Sequence, residues 1–600
     1  MNQVLPKREE VKKEDQWRLE DIFETDEAFK TCLEHTTHSI PLFKQYENRL
    51  TQHGLSLLEF MQMQDQFWIA ANKLYVYAHM HLHENGNNSF YQDLVQKSEA
   101  LQIEANRVLA FSQPELSTLT LEQLHGFYKE VPALKHYKRY FDELLRQKQH
   151  ILDTATEALL AQFADVAGTA SSTFSMLNNV DLKFPSIMDE HGNQVLLTHA
   201  TYIPFMENSH QEVRRSAFEG LYQTYSGFKN TLATLFSGNI KQYSLFSSVR
   251  NFNNPLEMAL SENNIPVSVY NQLIDTVNTH LDILHRYMKL RKKVLRLDTL
   301  HMYDLFVPMV ENIDKKISFD EAMETVLKAL APLGEDYIHV ARSAFSSGWI
   351  DKYENQGKRS GAYAWGTYGA PHPYILLNYT SNINSMFTLA HELGHAMHTY
   401  YSHQTQPSIY SDYCIFVAEV ASTVNEALLM QYLLKQTTDP DERQYLLNHF
   451  MDQFKSTLYR QTMFAEFEKN IHLAYQRGET LTSEYLSSEY LTLVKKYHGE
   501  AVEVDEAIAM EWARIPHFYT PFYVYQYATG YSAAIALSER VLTGDTSAVA
   551  DYISFLTGGS SADPIDLLKM AGIDMSSPKP IQDALHLFES LIIEFEKMSS

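Results

Sequence analysis

Cysteine, glycine and proline are all scarce in this sequence. Its 600 residues include 2 cysteines, 22 glycines and 19 prolines. Two cysteines cannot form a disulfide framework, so we expect the protein to work in a reducing compartment. Glycine and proline punctuate the many turns of β-barrels and sandwiches, so their scarcity disfavours those folds and favours long helices.

Positive charge is in deficit, and long apolar runs are missing. The formal net charge is -25, which disfavours nucleic acid as a partner because its phosphates would be repelled. No apolar run approaches the roughly 20 residues that a membrane span requires, and the first residues lack the apolar segment of a secretion signal. We therefore expect a cytoplasmic protein with no membrane partner. The composition leaves the oligomeric state open.

Helical periodicity runs through most of the chain and is interrupted in two places. Residues 181–203 contain two short apolar segments around "DEHGN", which predict a β-hairpin. Residues 360–382 contain glycines and prolines around a short β-prone run. The sequence thus predicts a mainly α fold with a small β element directly before the helix described next. We place a boundary near residue 200, between an N-terminal helical region, 1–200, that ends in the hairpin and a second region, 201–600.

The stretch "FTLAHELGHAMHTYY" contains two histidines suited to share one metal ion. His391 and His395 lie one helical turn apart on one face, so both imidazoles can bind a single zinc ion. Glu392 stands beside them, where its carboxylate can contact a water on the metal. An extended motif with a third histidine is absent, because His398 and Tyr401 occupy the positions that need glycine and histidine. We therefore expect a carboxylate ligand from a following helix.

The stretch "DYCIFVAEVASTVNEALLMQYLL" provides two candidates for that ligand. Glu419 and Glu426 are seven residues apart, which is two helical turns, so they share a face. Their neighbours are apolar, and a buried carboxylate without a cation or a hydrogen-bond partner is costly. Binding of one carboxylate to zinc, and hydrogen bonding of the other to a ligand imidazole, would remove that cost. The alternative is a solvated acidic face.

The stretch "HFYTPFYVYQYATGY" is crowded with tyrosines. Thr520 and Pro521 predict that a helix begins there, with the threonine as its N-cap. Such a helix carries three tyrosines along one face, Tyr523, Tyr527 and Tyr531. Phenols are neutral hydrogen-bond donors, suited to an oxyanion or to a substrate backbone. We expect this catalytic role for Tyr523 and Tyr527, with His517 as a third donor; an aromatic stripe in the core is the alternative.

The stretch "PYILLNY" is a candidate for substrate binding. An exposed edge strand offers backbone hydrogen bonds to an extended peptide whatever its side chains. We therefore predict that Tyr374, Ile375 and Leu376 bind substrate, together with Tyr531 from the later block. The alternative is an ordinary hairpin packed on the metal helix.

These stretches together resemble one known family. "HELGHAMH" followed by "FVAEVASTVNE" resembles the thimet oligopeptidase and neurolysin family of metallopeptidases, most closely its oligoendopeptidase F branch. "GAYAWGTYGAPHPYILLNY", "IPHFYTPFYVYQYATGYSAA" and "FLTGGSSADPIDLLKMAGIDM" resemble blocks of that branch in the same order. The resemblance spans the whole chain and is most specific over residues 360–430 and 510–575.

The resemblance implies a zinc metalloendopeptidase that cleaves short, unstructured peptides. It implies that His391, His395 and Glu419 bind one zinc ion and that Glu392 is the catalytic acid/base, so that 201–600 would be the catalytic domain. The implied fold is a large helical ellipsoid of two lobes around a deep substrate channel. Two alternatives stay open: a catalytically inactive helical peptide-binding protein, and a zinc hydrolase of non-peptide substrates.

Overall fold

Helices make up most of the fold. The structure is a computed structural model in which residues 5–310, 315–544 and 546–599 are described. It is 71% helical with only small sheets, so the prediction of a mainly α fold is confirmed. Among the described helices, none combines the length and the apolar composition that a membrane span requires.

The α-helices in the first half of the chain are mostly long and amphipathic. They are α1 Asp26–Ser39, α2 Gly54–Glu84, α3 Ser89–Leu109, α4 Ser112–Ser117, α5 Leu121–Glu130, α6 Lys138–Gln147, α7 Thr154–Ala167, α8 Thr169–Met176, α9 His199–Met206, α10 Gln211–Ser226, α11 Lys229–Val249, α12 Pro255–Ser261, α13 Val267–Asn278 and α14 Leu281–Val294.

The α-helices of the second half include those that carry the predicted site residues. They are α15 Phe319–Ala329, α16 Glu335–Ser346, α17 Ile383–Thr405, α18 Ile415–Gln436, α19 Pro440–Gln453, α20 Arg460–Gln476, α21 Ser483–His498, α22 Tyr525–Leu542, α23 Thr546–Leu556, α24 Pro564–Met570 and α25 Lys579–Met598.

The strands are two or three residues long and form three small sheets. They are β1 Ser186–Met188, β2 Gln194–Leu196, β3 Leu300–His301, β4 Ile350–Asp351, β5 Tyr363–Trp365, β6 Tyr374–Leu376 and β7 Val502–Glu503. The first two form the predicted antiparallel hairpin, with Ile187 opposite Val195. Strands β3 and β7 pair in parallel. The third sheet has the order β4-β6-β5, in which β6 is parallel to β4 and antiparallel to β5.

The chain folds into two compact units, each built from three separate stretches. The first unit consists of Met1–Thr154, Asp314–Leu429 and Leu537–Gly572. The second consists of Ala155–Ile313, Met430–Ala536 and Ile573–Ser600. The division of the sequence at residue 200 stays a prediction about sequence regions, and the compact units follow other boundaries.

Helix α17, in the first unit, is fixed at its start and along its buried side. The side chain of Asn382 accepts a hydrogen bond from the backbone N–H of Ser385 and caps the helix. Leu389, Leu393 and Met397 are completely buried, as expected of an apolar stripe with helical spacing. This stripe anchors one side of the helix in the core, while both histidines of the motif lie on a partly exposed side.

Candidate active site

Helix α17 brings the two histidines of the motif together, with their rings nearly perpendicular. The Nε2 atoms of His391 and His395 lie 3.1 Å apart, and the ring centroids are separated by 4.8 Å. This is the geometry that the spacing of four residues predicts for one helical turn.

Helix α18 adds a carboxylate to this pair. The Oε2 atom of Glu419 lies 3.5 Å from the Nε2 atom of His391 and 3.5 Å from that of His395. All three potential ligand atoms lie within 4.8 Å of one another. Among the described residues, no other group of three histidine, cysteine or acidic side chains meets this criterion. The structure therefore brings together the three residues that the sequence predicts as metal ligands.

A glycine allows the two helices to approach this closely. A Cβ atom added at Gly394 would lie 2.5 Å from the Cα of Ser422 and 2.7 Å from the carbonyl oxygen of Ala421. The side chain of Asn425 on α18 also donates a hydrogen bond of 3.1 Å to the carbonyl of Ala390 on α17. These backbone contacts set the distance between the histidines and Glu419. The sequence analysis did not assign Gly394 this role.

Glu426 contacts the other side of one imidazole, as the sequence predicts for the second carboxylate. Its Oε1 atom is hydrogen-bonded to Nδ1 of His391. A carboxylate accepts, so Nδ1 carries the proton, and in the neutral ring that binds a metal Nε2 keeps its lone pair towards the convergent site. Glu426 thus fixes both the tautomer and the orientation of this ring.

The electrostatics of the cluster favour a cation. Burial alone would lower the pKa of His391, but the hydrogen bond and charge of Glu426, with two further carboxylates, outweigh it and raise the pKa to about 9. Burial would raise the pKa of Glu419, but the hydrogen bond from His395 and the charges of both imidazoles lower it. Both shifts result from attraction between the carboxylates and positive charge.

Glu392 lies beside the cluster of His391, His395 and Glu419 but is almost completely buried. Only 7% of the residue is exposed, and burial raises the pKa of its carboxyl. The backbone N–H of Ala364, on β5, donates a hydrogen bond to this carboxylate. A raised pKa and a fixed orientation are both suited to a group that takes up and returns a proton.

The prediction that residues 374–376 form an exposed edge strand is wrong. Strand β6 lies in the middle of its sheet, and Tyr374, Ile375 and Leu376 are completely buried, so none of the three presents a free backbone edge. The two edges of this sheet are β4 and β5, and Ala364 of β5 contacts Glu392. The sequence shows β-prone residues in both segments, but the position of β6 depends on its pairing with the distant strand β4.

The tyrosine block lies in the second unit, and its helix begins later than predicted. Helix α22 begins at Tyr525, not at Thr520 or Pro521. The reason is Phe522, whose φ of +61° is left-handed and whose backbone N–H donates to the buried carboxyl group of Glu468 at 3.0 Å. Proline followed by a residue with positive φ is the pattern of a type II turn.

The three predicted donors nevertheless form one cluster. The ring centroids of His517 and Tyr523 are 6.0 Å apart, as are those of His517 and Tyr527. The rings of Tyr523 and Tyr527 lie edge to face at 5.5 Å. All three side chains are at least partly exposed, so the cluster is not part of a closed core. Tyr531 differs, because it is 5% exposed and packs edge-on against Phe454; its burial removes the basis for a substrate contact.

A further contact near the histidines was missed by the sequence analysis. The hydroxyl of Tyr413 lies 2.9 Å from that of Thr399 and donates to the carbonyl of His395 at 3.4 Å. Tyr413 lies six residues before Glu419. The segment that contains it has no periodic pattern from which its tertiary contacts could be predicted.

Comparisons with known proteins identify the family of this chain. The sequence pattern of "Peptidase family M3" matches residues 204–587, and that of "Oligopeptidase F" matches residues 115–184. The chain is 47% identical over 594 residues to "Oligopeptidase PepF" of Bacillus subtilis (strain 168), which covers 99% of this chain and 88% of that protein.

Two crystal structures have the same fold. Oligoendopeptidase-F from Enterococcus faecium is 36% identical with a TM-score of 0.75, covering 96% of this chain and 99% of that one. A Chlamydophila abortus protein is 34% identical with a TM-score of 0.93, covering 99% of this chain and 100% of that one.

Fold, site and relatives together define a mainly helical metallopeptidase that acts on oligopeptides. The chain belongs to peptidase family M3, and its similarity within that family is to the oligoendopeptidase F proteins. The family resemblance predicted from the sequence is thereby confirmed. Membership in a peptidase family favours this function over the two alternatives of an inactive binding protein and a hydrolase of other substrates.

Proposed function

We propose that the chain is a zinc-dependent oligoendopeptidase that hydrolyses internal bonds of short, unstructured peptides. The observation that carries this proposal is the convergence of His391, His395 and Glu419 beside the buried carboxylate of Glu392. Family membership supports a metal ion and peptide substrates; the identity of the metal, the endo cleavage and the residue roles are our proposal.

The donor set fits zinc. Two imidazole nitrogens and one carboxylate oxygen are a ligand set of catalytic zinc sites, which keep a fourth position open. Ligand atoms about 2.0–2.1 Å from a tetrahedral ion lie about 3.3 Å from one another. The three distances here are 3.1, 3.5 and 3.5 Å. His391, His395 and Glu419 would therefore hold the ion with little movement, and Glu426 would keep His391 in the binding tautomer.

Glu392 would move the proton. A bound zinc ion supplies Lewis acidity towards water and towards the carbonyl of the scissile bond. We propose that the Glu392 carboxylate takes the proton of the attacking water and then gives it to the leaving amine. Burial raises the pKa of Glu392 and so strengthens it as a base. The N–H of Ala364 holds the carboxylate in one orientation.

His517, Tyr523 and Tyr527 would supply hydrogen-bond donors. We propose that they donate to the carbonyl oxygen of the substrate as it gains negative charge, and to the peptide backbone. Preorganised donors of this kind contribute on the order of 3 kcal/mol each to the transition state. Their mutual ring packing and partial exposure support the proposal.

The test is peptide cleavage by zinc-loaded protein, read by mass spectrometry. Cleavage of unstructured peptides of increasing length, from about 4 to 30 residues, and of casein is compared between wild type and Glu392→Gln. We expect internal cleavage of the shorter peptides only, lost in the variant while its zinc content is unchanged. Removal of metal with a chelator should abolish cleavage, and zinc should restore it. Absence of cleavage at every length, despite bound zinc, would refute the proposal.

We also propose that the enzyme works in the cytoplasm. Neither Cys32 nor Cys414 is part of a disulfide bond, which supports a reducing compartment. Cell fractionation with detection of the chain tests this, and recovery in the culture medium would contradict it.

A further inference from the structure

A cavity of about 660 Å³ lies beside the candidate active site, entirely within the first unit. Helix α2 forms one wall, strand β5 and the residues after it form a second, and helix α17 with the segment 411–413 forms the third. This volume is within the range of about 300–1,000 Å³ that is typical of ligand pockets.

Two lining residues connect the cavity to the residues proposed to act on the peptide bond. Ala364 lines the cavity and donates its N–H to Glu392. Tyr413 lines it as well, and its hydroxyl contacts the carbonyl of His395. These contacts place one wall of the cavity next to the residues proposed to act on the peptide bond.

The charge of the lining is negative. Asp65 and Asp412 line the cavity, and none of the described lining residues is a lysine or an arginine. Asp65 is partly buried and accepts a hydrogen bond of 2.8 Å from the hydroxyl of Tyr137. Burial raises the pKa of Asp65 and outweighs the hydrogen bond from Tyr137 and the charge of His136, which lower it, so a further favourable contact would stabilise its charged form. A cation in the cavity would provide such a contact.

Aromatic side chains line the same cavity as this carboxylate. Asp65 and Trp68 are three residues apart on α2 and so share a face. Trp365 lines the wall formed by β5, with its ring 6.0 Å from that of Tyr75. Aromatic faces attract ammonium and guanidinium groups and also pack against their aliphatic stems.

We propose that this cavity binds the side chain of a lysine or arginine of the peptide substrate, with Asp65 as the paired carboxylate. The enzyme then prefers a basic residue at one fixed position relative to the cleaved bond. This inference rests on the proposed function, because it requires a peptide at the metal site. A neutral side chain would leave Asp65 without a cation, and an acidic one would be repelled by it, so the expected order is basic, then neutral, then acidic.

The test is a position scan in one unstructured peptide of about ten residues. Each position near the cleaved bond carries lysine, arginine, glutamine or glutamate in turn, and kcat/KM is measured for each peptide. At one position we expect lysine or arginine to exceed glutamine by about tenfold, the gain of one charge-assisted hydrogen bond. Asp65→Asn is expected to lower this ratio at least fivefold. The ratio within one preparation is independent of the fraction of active enzyme.

Asp93→Asn is the matched control. Asp93 is an exposed carboxylate on α3 of the same unit, paired with Lys97 at 2.6 Å. This variant should keep the wild-type ratio. Cleavage of glutamine peptides with no basic preference at any position would overturn the cavity assignment, as would a preference that Asp65→Asn retains; the proposed function would stand in both cases.

A binding measurement separates the two proposals if no peptide is cleaved. The dissociation constants of the lysine and glutamine peptides are compared on zinc-loaded Glu392→Gln protein, with and without Asp65→Asn. Tighter binding of the lysine peptide, lost with Asp65→Asn, would support the cavity even though the proposed function fails. Equal binding of both peptides would refute the cavity assignment.

Discussion

Replacement of Gly394 by alanine should damage the metal site without touching a ligand. The added Cβ would lie 2.5 Å from the Cα of Ser422, whereas carbon atoms in contact lie about 3.5–4.0 Å apart. Because the obstructing atoms belong to the backbone, no side-chain rotation can relieve the overlap. Helices α17 and α18 must therefore separate by about 1 Å.

That movement is large compared with the tolerance of a metal site. Ligand distances must hold within about 0.2 Å, and Glu419 moves with α18, away from both histidines. We expect zinc affinity to fall by at least roughly tenfold and kcat/KM by about a hundredfold. Overpacking should also lower the free energy of unfolding by about 1–3 kcal/mol.

The assay is zinc affinity by chelator competition, combined with peptide cleavage and thermal unfolding. Gly238→Ala is the matched control, because it also lies within a helix, α11, but a Cβ there meets no atom within 4 Å. Helix propensity predicts that this control is neutral or more stable, by up to about 1 kcal/mol. Unchanged zinc affinity and kcat/KM in Gly394→Ala would show that the helix contact does not set the ligand geometry.

Three further predictions concern single polar groups. Glu426→Gln should weaken zinc binding about 10–100-fold, because an amide that turns its NH₂ group towards His391 Nδ1 no longer fixes the tautomer; equal affinities in chelator competition would contradict this. Tyr527→Phe should lower kcat about a hundredfold with little change in KM if its hydroxyl serves the transition state; a rise in KM alone would indicate substrate binding instead. Glu468 is 1% exposed, and burial raises its pKa to about 8. Because the unfolded carboxyl ionises near 4.5, the free energy of unfolding should decrease between pH 4.5 and 8, by on the order of 4 kcal/mol at pH 8. Glu468→Gln should therefore be relatively more stable as pH rises over this window, and parallel melting curves across it would contradict the assignment.

The sequence predicts the metal cluster well because helical geometry is local. Spacings of four and seven residues place His391 with His395 and Glu419 with Glu426, whatever the rest of the chain does. The convergence of the two pairs depends on Gly394, whose contact with Ser422 no spacing reveals. The prediction that one carboxylate contacts a histidine came from the free-energy cost of burying an unpaired carboxylate, not from periodicity.

The predictions that are wrong concern segments whose local structure depends on a residue distant in sequence. Thr520 and Pro521 have the composition of a helix start. However, the carboxyl group of Glu468 accepts a hydrogen bond from the N–H of Phe522, 54 residues away in sequence, and the helix begins only after it. Strand β6 looks like an edge because its own residues do not reveal the two-residue strand β4 beside it. Propensity and capping patterns depend only on residues close in sequence, so they cannot predict either of these two contacts.

The division of the chain into interleaved stretches has a consequence for synthesis. The chain passes from one unit to the other after residues 154, 313, 429, 536 and 572. The unit with the metal cluster is complete only once residues 537–572 have left the ribosome, and the other needs the last stretch as well. Apolar surfaces of both units thus stay uncovered during most of translation, when they are prone to aggregation. We expect fragments that end near residue 200 or 430 to depend on chaperones or proteolysis, and not to fold as independent domains.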